Sequence, residues 1–195
     1  MKRRKLLVVL IAISSFFSFV VAHQINENME ASDIWWHSDV RWAGTPIYVS
    51  CQGYNNHFQR LCDSEARNAI AAVNQEIGGN ILKYRPGAHE NDGGINILLG
   101  IPEDDPLSNV AGSAELRWPR GGSYFYSCRV VTIEDVNING LQIILRHEFG
   151  HCLNLKHDEE DPTSIMFPDA DGMVYFEDIP RFTSEDLEAL RELYL

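Results

Sequence analysis

The sequence predicts an α+β fold for residues 45–195, and three observations carry the prediction. Short runs rich in aromatic and β-branched residues recur between Gly-, Pro- and Asn-containing breaks; one helical period lies among the first of them; two more follow the last. No internal repeat or low-complexity tract divides the chain, so these elements read as one continuous domain.

Ahead of that domain the first residues read as an export signal. Lys2, Arg3, Arg4 and Lys5 precede a charge-free apolar run from Leu6 to Val21, and Val20 with Ala22 supply the small residues expected before a cut. Residues 1–22 are therefore expected to be a signal peptide, which sends the mature protein to a secreted or periplasmic location. As an uncleaved anchor the run is short of the roughly 20 residues a bilayer span needs, so no stable membrane anchor is expected. Residues 23–44 form an N-terminal extension, polar with Trp35, Trp36 and Trp42 interspersed, expected to wrap across the domain surface.

Within the domain a strand is expected over residues 46–51. Residues 63–77 place Ala66, Ala69, Ile70, Val73 and Ile77 on one helical face, and Gly78 with Gly79 supplies the stop. Strand signals follow at 81–85, 95–99 and 113–117, then in a longer run at 124–133. The next helix is expected to start with Asn139 as cap and Gln142 completing a capping-box variant, with Leu141, Ile144 and Leu145 facing inward. The last runs from Ser184 to Tyr194 behind Thr183 as cap, burying Leu187, Leu190 and Leu193.

Composition narrows the partners. Removing the four cations of the signal from 16 Lys plus Arg, against 28 Asp plus Glu, deepens the net charge from -12 to -16. A nucleic acid or an anionic membrane needs clustered cations to displace its counterions, so neither is expected as partner. Four cysteines, Cys51, Cys62, Cys128 and Cys152, follow the export signal, and an even number there suggests two disulfides. Of the three possible pairings, Cys51 with Cys62 is favoured because the two flank a short polar loop, which leaves Cys128 with Cys152.

Residues 147–157 read HEFGHCLNLKH and hold three of the seven histidines. At 3.6 residues per turn His147 and His151 leave one helix face together, close enough to share an ion, while Glu148 lies beside them. Neutral imidazoles suit zinc, and a site with three protein ligands keeps a position open for water. A continuing helix would carry His157 away, so the chain must reverse between Leu153 and His157. Asn154 stands where it tolerates the left-handed conformation that ends a helix. Cys152 lies about 100° round the helix from His151 and reads as structural.

HExxHxxGxxH followed by a Met-turn is the metzincin signature. On this motif, and on the SIMFP of residues 164–168, the chain resembles the metzincin zinc peptidases, and among them the matrixin catalytic domains, whose final helix is similar to IPRFTSEDLEALRELY. The resemblance covers most of the mature chain. It implies a metzincin-like, twisted, mostly parallel mixed sheet packed with two helices, an active-site cleft, and a small C-terminal subdomain ending in a helix. It also implies one catalytic zinc on His147, His151 and His157, Met166 beneath it, and Glu148 as general base. A protein or peptide substrate would lie along the edge strand at Ser113, Ala114 and Glu115, with Phe167, Pro168 and the residues on to about Tyr175 walling a pocket.

Several positions depart from the family pattern. Asn154 replaces the usual Gly, Asp158 stands where matrixins usually carry Ser, and the gap from His157 to Met166 is one residue longer. Pro168 stands where the related astacins carry a tyrosine, so no such further ligand is expected. No histidine lies in the loops where matrixins hold a second zinc, and one zinc is expected. Glu103, Asp104 and Asp105 offer oxygens that calcium could use and are read first as a solvated charge run. The segment before the first strand has no cysteine, so no cysteine-switch pro-domain is expected; whether Asp33 or Asp39 blocks the metal stays open.

The expected function is thus a secreted, monomeric zinc endopeptidase. Its rivals are a zinc-binding adhesin or decoy without catalysis, which would not need Glu148, and a zinc hydrolase of non-peptide bonds.

Overall fold

The computed structural model describes residues 40–87, 93–101, 112–133, 138–168 and 179–195. The expected signal peptide, the extension up to residue 39, Glu103 to Asp105 and the pocket wall near Tyr175 lie outside them. In chain order the elements are β1 (Arg41–Trp42), β2 (Ile47–Gly53), α1 (Asn56–Ile77), β3 (Leu82–Tyr84), β4 (Gly94–Ile101), β5 (Gly112–Arg117), β6 (Tyr124–Phe125), β7 (Ser127–Ile133), α2 (Ile138–Cys152) and α3 (Ser184–Tyr194).

Five strands form one sheet in the order β3-β2-β4-β7-β5, parallel except for β5, which runs antiparallel to β7. Strand alternation sends Val49 and Cys51 of β2, Ile95, Ile97 and Leu99 of β4, and Cys128 and Val130 of β7 into the core. Helices α1 and α2 cover that face, with Ala66, Ala69, Val73 and Ile77 from α1 and Leu141, Leu145 and Phe149 from α2. This is the mostly parallel mixed sheet with two packed helices, followed by a C-terminal helix. Among the described residues no helix is long and apolar enough to cross a membrane.

The elements differ from their expected bounds in ways that have physical causes. Helix α1 begins at Asn56, well before residue 63, because the Asn55 side chain caps it, accepting from the His57 and Phe58 amides at 2.9 and 3.0 Å. The run 124–133 is two strands, broken at Tyr126, whose N–H donates to Arg117 O at 3.0 Å; β6 pairs with β1, whereas β7 joins the main sheet. Helix α2 starts at Ile138, so Asn139 lies inside it and is not its cap. Gln142 does not close a capping box either; its amide donates to the backbone carbonyl and the carboxylate of Glu65 on α1. Trp42 does not lie on the surface: it is buried against Phe125, and its indole N–H donates to Cys152 O at 2.7 Å.

Helix α3 follows its expectation closely. Thr183 Oγ1 accepts from the Asp186 amide at 3.1 Å while Asp186 Oδ2 accepts from the Thr183 amide at 3.0 Å, a complete capping box. Leu190 is fully buried, with Leu187 and Leu193 packed beside the core. The disulfides are Cys51–Cys62, fastening β2 to α1, and Cys128–Cys152, fastening β7 to the end of α2.

Candidate metal centre

Whether the three histidines meet depends on how α2 ends. Leu155 N–H donates to Gly150 O at 2.9 Å and Asn154 N–H to His151 O at 2.8 Å, the paired bonds of a Schellman ending, with Asn154 left-handed at φ 79. Glycine would adopt that backbone more easily, but the buried asparagine adds an anchor: its side-chain amide donates to Val40 O at 3.2 Å. The chain reverses there, and His157 Nε2 comes 3.1 Å from His151 Nε2, which lies 2.9 Å from His147 Nε2.

The other ring nitrogens decide what can lie between them. His147 Nδ1 faces Ile165 O at 2.7 Å and His151 Nδ1 faces Leu155 O at 2.9 Å. A carbonyl oxygen only accepts, so both Nδ1 atoms carry a proton, and it is the Nε2 atoms that face one another. Three imidazole nitrogens within 4.8 Å of one another could hold a metal ion. Tetrahedral zinc, with Zn–N of about 2.0–2.1 Å, sets nitrogens about 3.3 Å apart, a few tenths of an ångström wider than the spacings here. The donor set fits zinc.

Glu148 is buried beside this cluster, and its Oε2 has no hydrogen-bond partner among the described residues. Burial pushes its carboxyl up to about 8. The start of β5 lies directly over it: a Cβ on Gly112 would stand 2.7 Å from Glu148 Oε1 and 2.5 Å from Ile144 Cγ2. Only glycine lets the strand come so near. Ser113, Ala114 and Glu115 continue β5, which among the described residues pairs with β7 alone and stands at one end of the strand order.

The turn after His157 is organised by two aspartates. Asp158 Oδ1 accepts from the Glu160 and Asp161 amides at 3.0 Å each, and Asp161 Oδ1 accepts from the Thr163 amide at 2.8 Å. Asp158 N–H then donates to Met166 O at 2.9 Å, which closes the loop. Asp158 thus caps the lengthened connection. Met166 is fully buried against Gly150, where a Cβ would meet its Sδ at 2.2 Å. Phe167 is half-buried and packs on the core, and Pro168 is exposed.

Sequence reasoning named the three histidines, Glu148, Asn154 and Met166, and did not name the groups packed around them. Gly112 and Gly150 matter through the closeness of a distant segment, for which a lone glycine before a strand or within a motif is a faint signal. Ile165 and Leu155 act through backbone carbonyls, which no side-chain identity reveals.

No sequence among curated proteins matches the chain. Its fold is similar to the crystal structure of archaemetzincin from Methanopyrus kandleri, with 14% identity and a TM-score of 0.47, covering 77% of this chain and 96% of that one. The model of the matrixin family, Peptidase_M10, matches residues 18–195. The chain therefore belongs to the matrixins and is a zinc metallopeptidase.

Proposed function

We propose that this chain is an exported endopeptidase in which His147, His151 and His157 hold one zinc ion and Glu148 is the general base. The observation that carries the reading is the meeting of three imidazole nitrogens beside a buried carboxylate whose Oε2 has no hydrogen-bond partner among the described residues. Bound zinc supplies Lewis acidity, which acidifies water and polarises a carbonyl. Glu148 takes the proton of the attacking water and returns it to the leaving amine. Its raised pKa describes the protein without metal, and nearby positive charge favours the ionised form that a base requires.

The place of β5 at the end of the strand order, paired among the described residues with β7 alone, supports a peptide substrate bound in extended form, its backbone paired with Ser113, Ala114 and Glu115. Phe167 and Pro168, immediately after Met166, wall the adjoining pocket in this reading. Residues 1–22 are the cleaved signal, 23–44 the extension and 45–195 the catalytic domain, acting as a monomer. Two disulfides accord with an oxidising compartment, secreted or periplasmic.

The test is incubation of the purified mature protein with denatured protein substrates, with and without a zinc chelator, alongside Glu148→Gln. Cleavage that stops with chelator, together with a variant that retains zinc but loses about 10²–10⁴-fold in kcat, supports the proposal. Undiminished turnover by the zinc-loaded variant would show the base to be misassigned, and zinc binding without any cleavage would favour the non-catalytic module.

A further inference from the structure

A closed circuit of hydrogen bonds leaves the ring of His147 and returns to the residue before it. His147 Nδ1–H donates to Ile165 O at 2.7 Å, and Ile165 N–H donates to Arg181 O at 2.8 Å. The next amide, Phe182 N–H, donates to Glu76 Oε2 at 3.3 Å. The other oxygen of that carboxylate binds the guanidinium of Arg146, which precedes His147 on α2. The origin of the carboxylate is itself held: Arg191 donates to the carbonyls of Ile77 at 2.7 Å and Glu76 at 2.9 Å.

We infer that Glu76 is a positioning residue for the metal centre, acting on His147 from both sides, through Arg146 along α2 and through residues 181–182 and the Ile165 carbonyl. The inference rests on His147 being a zinc ligand, as proposed above. Glu76 lies at the far end of α1, and its two oxygens serve two separate elements, the helix that carries His147 and the segment that pairs with the turn beneath it. A buried ion pair alone need not stabilise a fold, because desolvation offsets its attraction. What this pair adds is one fixed arrangement of the carbonyl that orients the imidazole. Such outer partners set ligand tautomer and orientation, and losing one typically weakens metal binding about 10–100-fold.

The experiment measures zinc affinity by competition with a chromophoric chelator, at a temperature where circular dichroism shows each protein folded. Glu76→Gln is compared with the wild type and with Glu76→Met combined with Arg146→Met, which replaces the ion pair by apolar side chains. Weaker zinc binding by about 10–100-fold is expected in each variant that folds, including a double variant whose thermal stability equals that of the wild type. Wild-type affinity in a folded variant overturns the inference. Hydrogen exchange on the wild type gives an independent readout if neither variant folds: zinc should slow exchange at both the Ile165 and Phe182 amides, by reciprocity of coupled sites. An unchanged rate at Phe182 overturns the inference equally. A wild type that binds no zinc would instead defeat the metal-centre reading on which it rests.

Discussion

His151 Nδ1–H donates to the carbonyl of Leu155, four residues further on and beyond the end of the helix that carries it, at 2.9 Å. The bond exists only because the backbone turns left-handed at Asn154. Asn154→Ala should therefore lower stability by about 1–2 kcal/mol for the strained backbone, plus the loss of the buried bond to Val40 O. Asn154→Gly keeps the backbone and loses the bond to Val40 O, so it should cost about 0.5–1.5 kcal/mol for that bond. Urea unfolding of the two variants gives the comparison; an alanine variant as stable as the glycine variant would show that the turn does not demand this conformation.

Gly150 and Met166 are in contact with no room for another atom between them. In an ordinary helix Gly→Ala gains about 0.8–1 kcal/mol, but here overpacking should cost about 1–3 kcal/mol, so Gly150→Ala should destabilise. Met166→Ala should cost less in the Gly150→Ala background than in the wild type, because the cavity accepts the added methyl. Additive losses in a thermal-denaturation cycle would refute the contact.

The Cys128–Cys152 bridge closes a loop with a sequence separation of 24, and both residues are fully buried. Replacing both by Ala should cost about 3–4 kcal/mol on the chain-entropy account. Cys152 adjoins His151, and its carbonyl receives Trp42, so the loss should also weaken zinc binding. Chelator competition on the folded variant measures that second effect; wild-type affinity would confine the bridge to stability.

Asp186 in the capping box is buried, and burial raises its pKa above the usual carboxylate range, against the hydrogen bonds from Thr183; Asp158 and Glu185 push it further up. The ionised form is thus penalised in the folded protein relative to the unfolded chain. The contribution of this group to stability is greatest below its unfolded pKa and falls as pH rises through the interval up to its folded pKa. Asp186→Asn, which keeps an acceptor for the Thr183 amide, removes that dependence. The stability of the wild type relative to the variant should therefore decline with rising pH across the acidic range in urea titrations, and a rise would contradict the shift.

Periodicity revealed most of the fold. The alternation in residues 95–99 and the spacing of Leu187, Leu190 and Leu193 reflect burial of one face, a local property that leaves its period in the chain. Element ends were less legible. Residues 56–62 are largely polar, and only the cap by Asn55 and the bridge to Cys51 extend α1 over them. The break at Tyr126 arises because β1 returns to pair with β6, a contact more than 80 residues away that no local pattern announces.

By itself the sequence determined which residues could hold a metal ion, since a helical spacing of four and a residue that accepts a left-handed backbone are local facts about His147, His151 and Asn154. Only the tertiary structure decided what orients them. The carbonyls of Ile165 and Leu155, the closeness of Gly112 to Glu148 and the carboxylate of Glu76 come from separate elements. Backbone atoms have no identity in a sequence, and close approach between distant segments is fixed by packing rather than by the spacing along the chain.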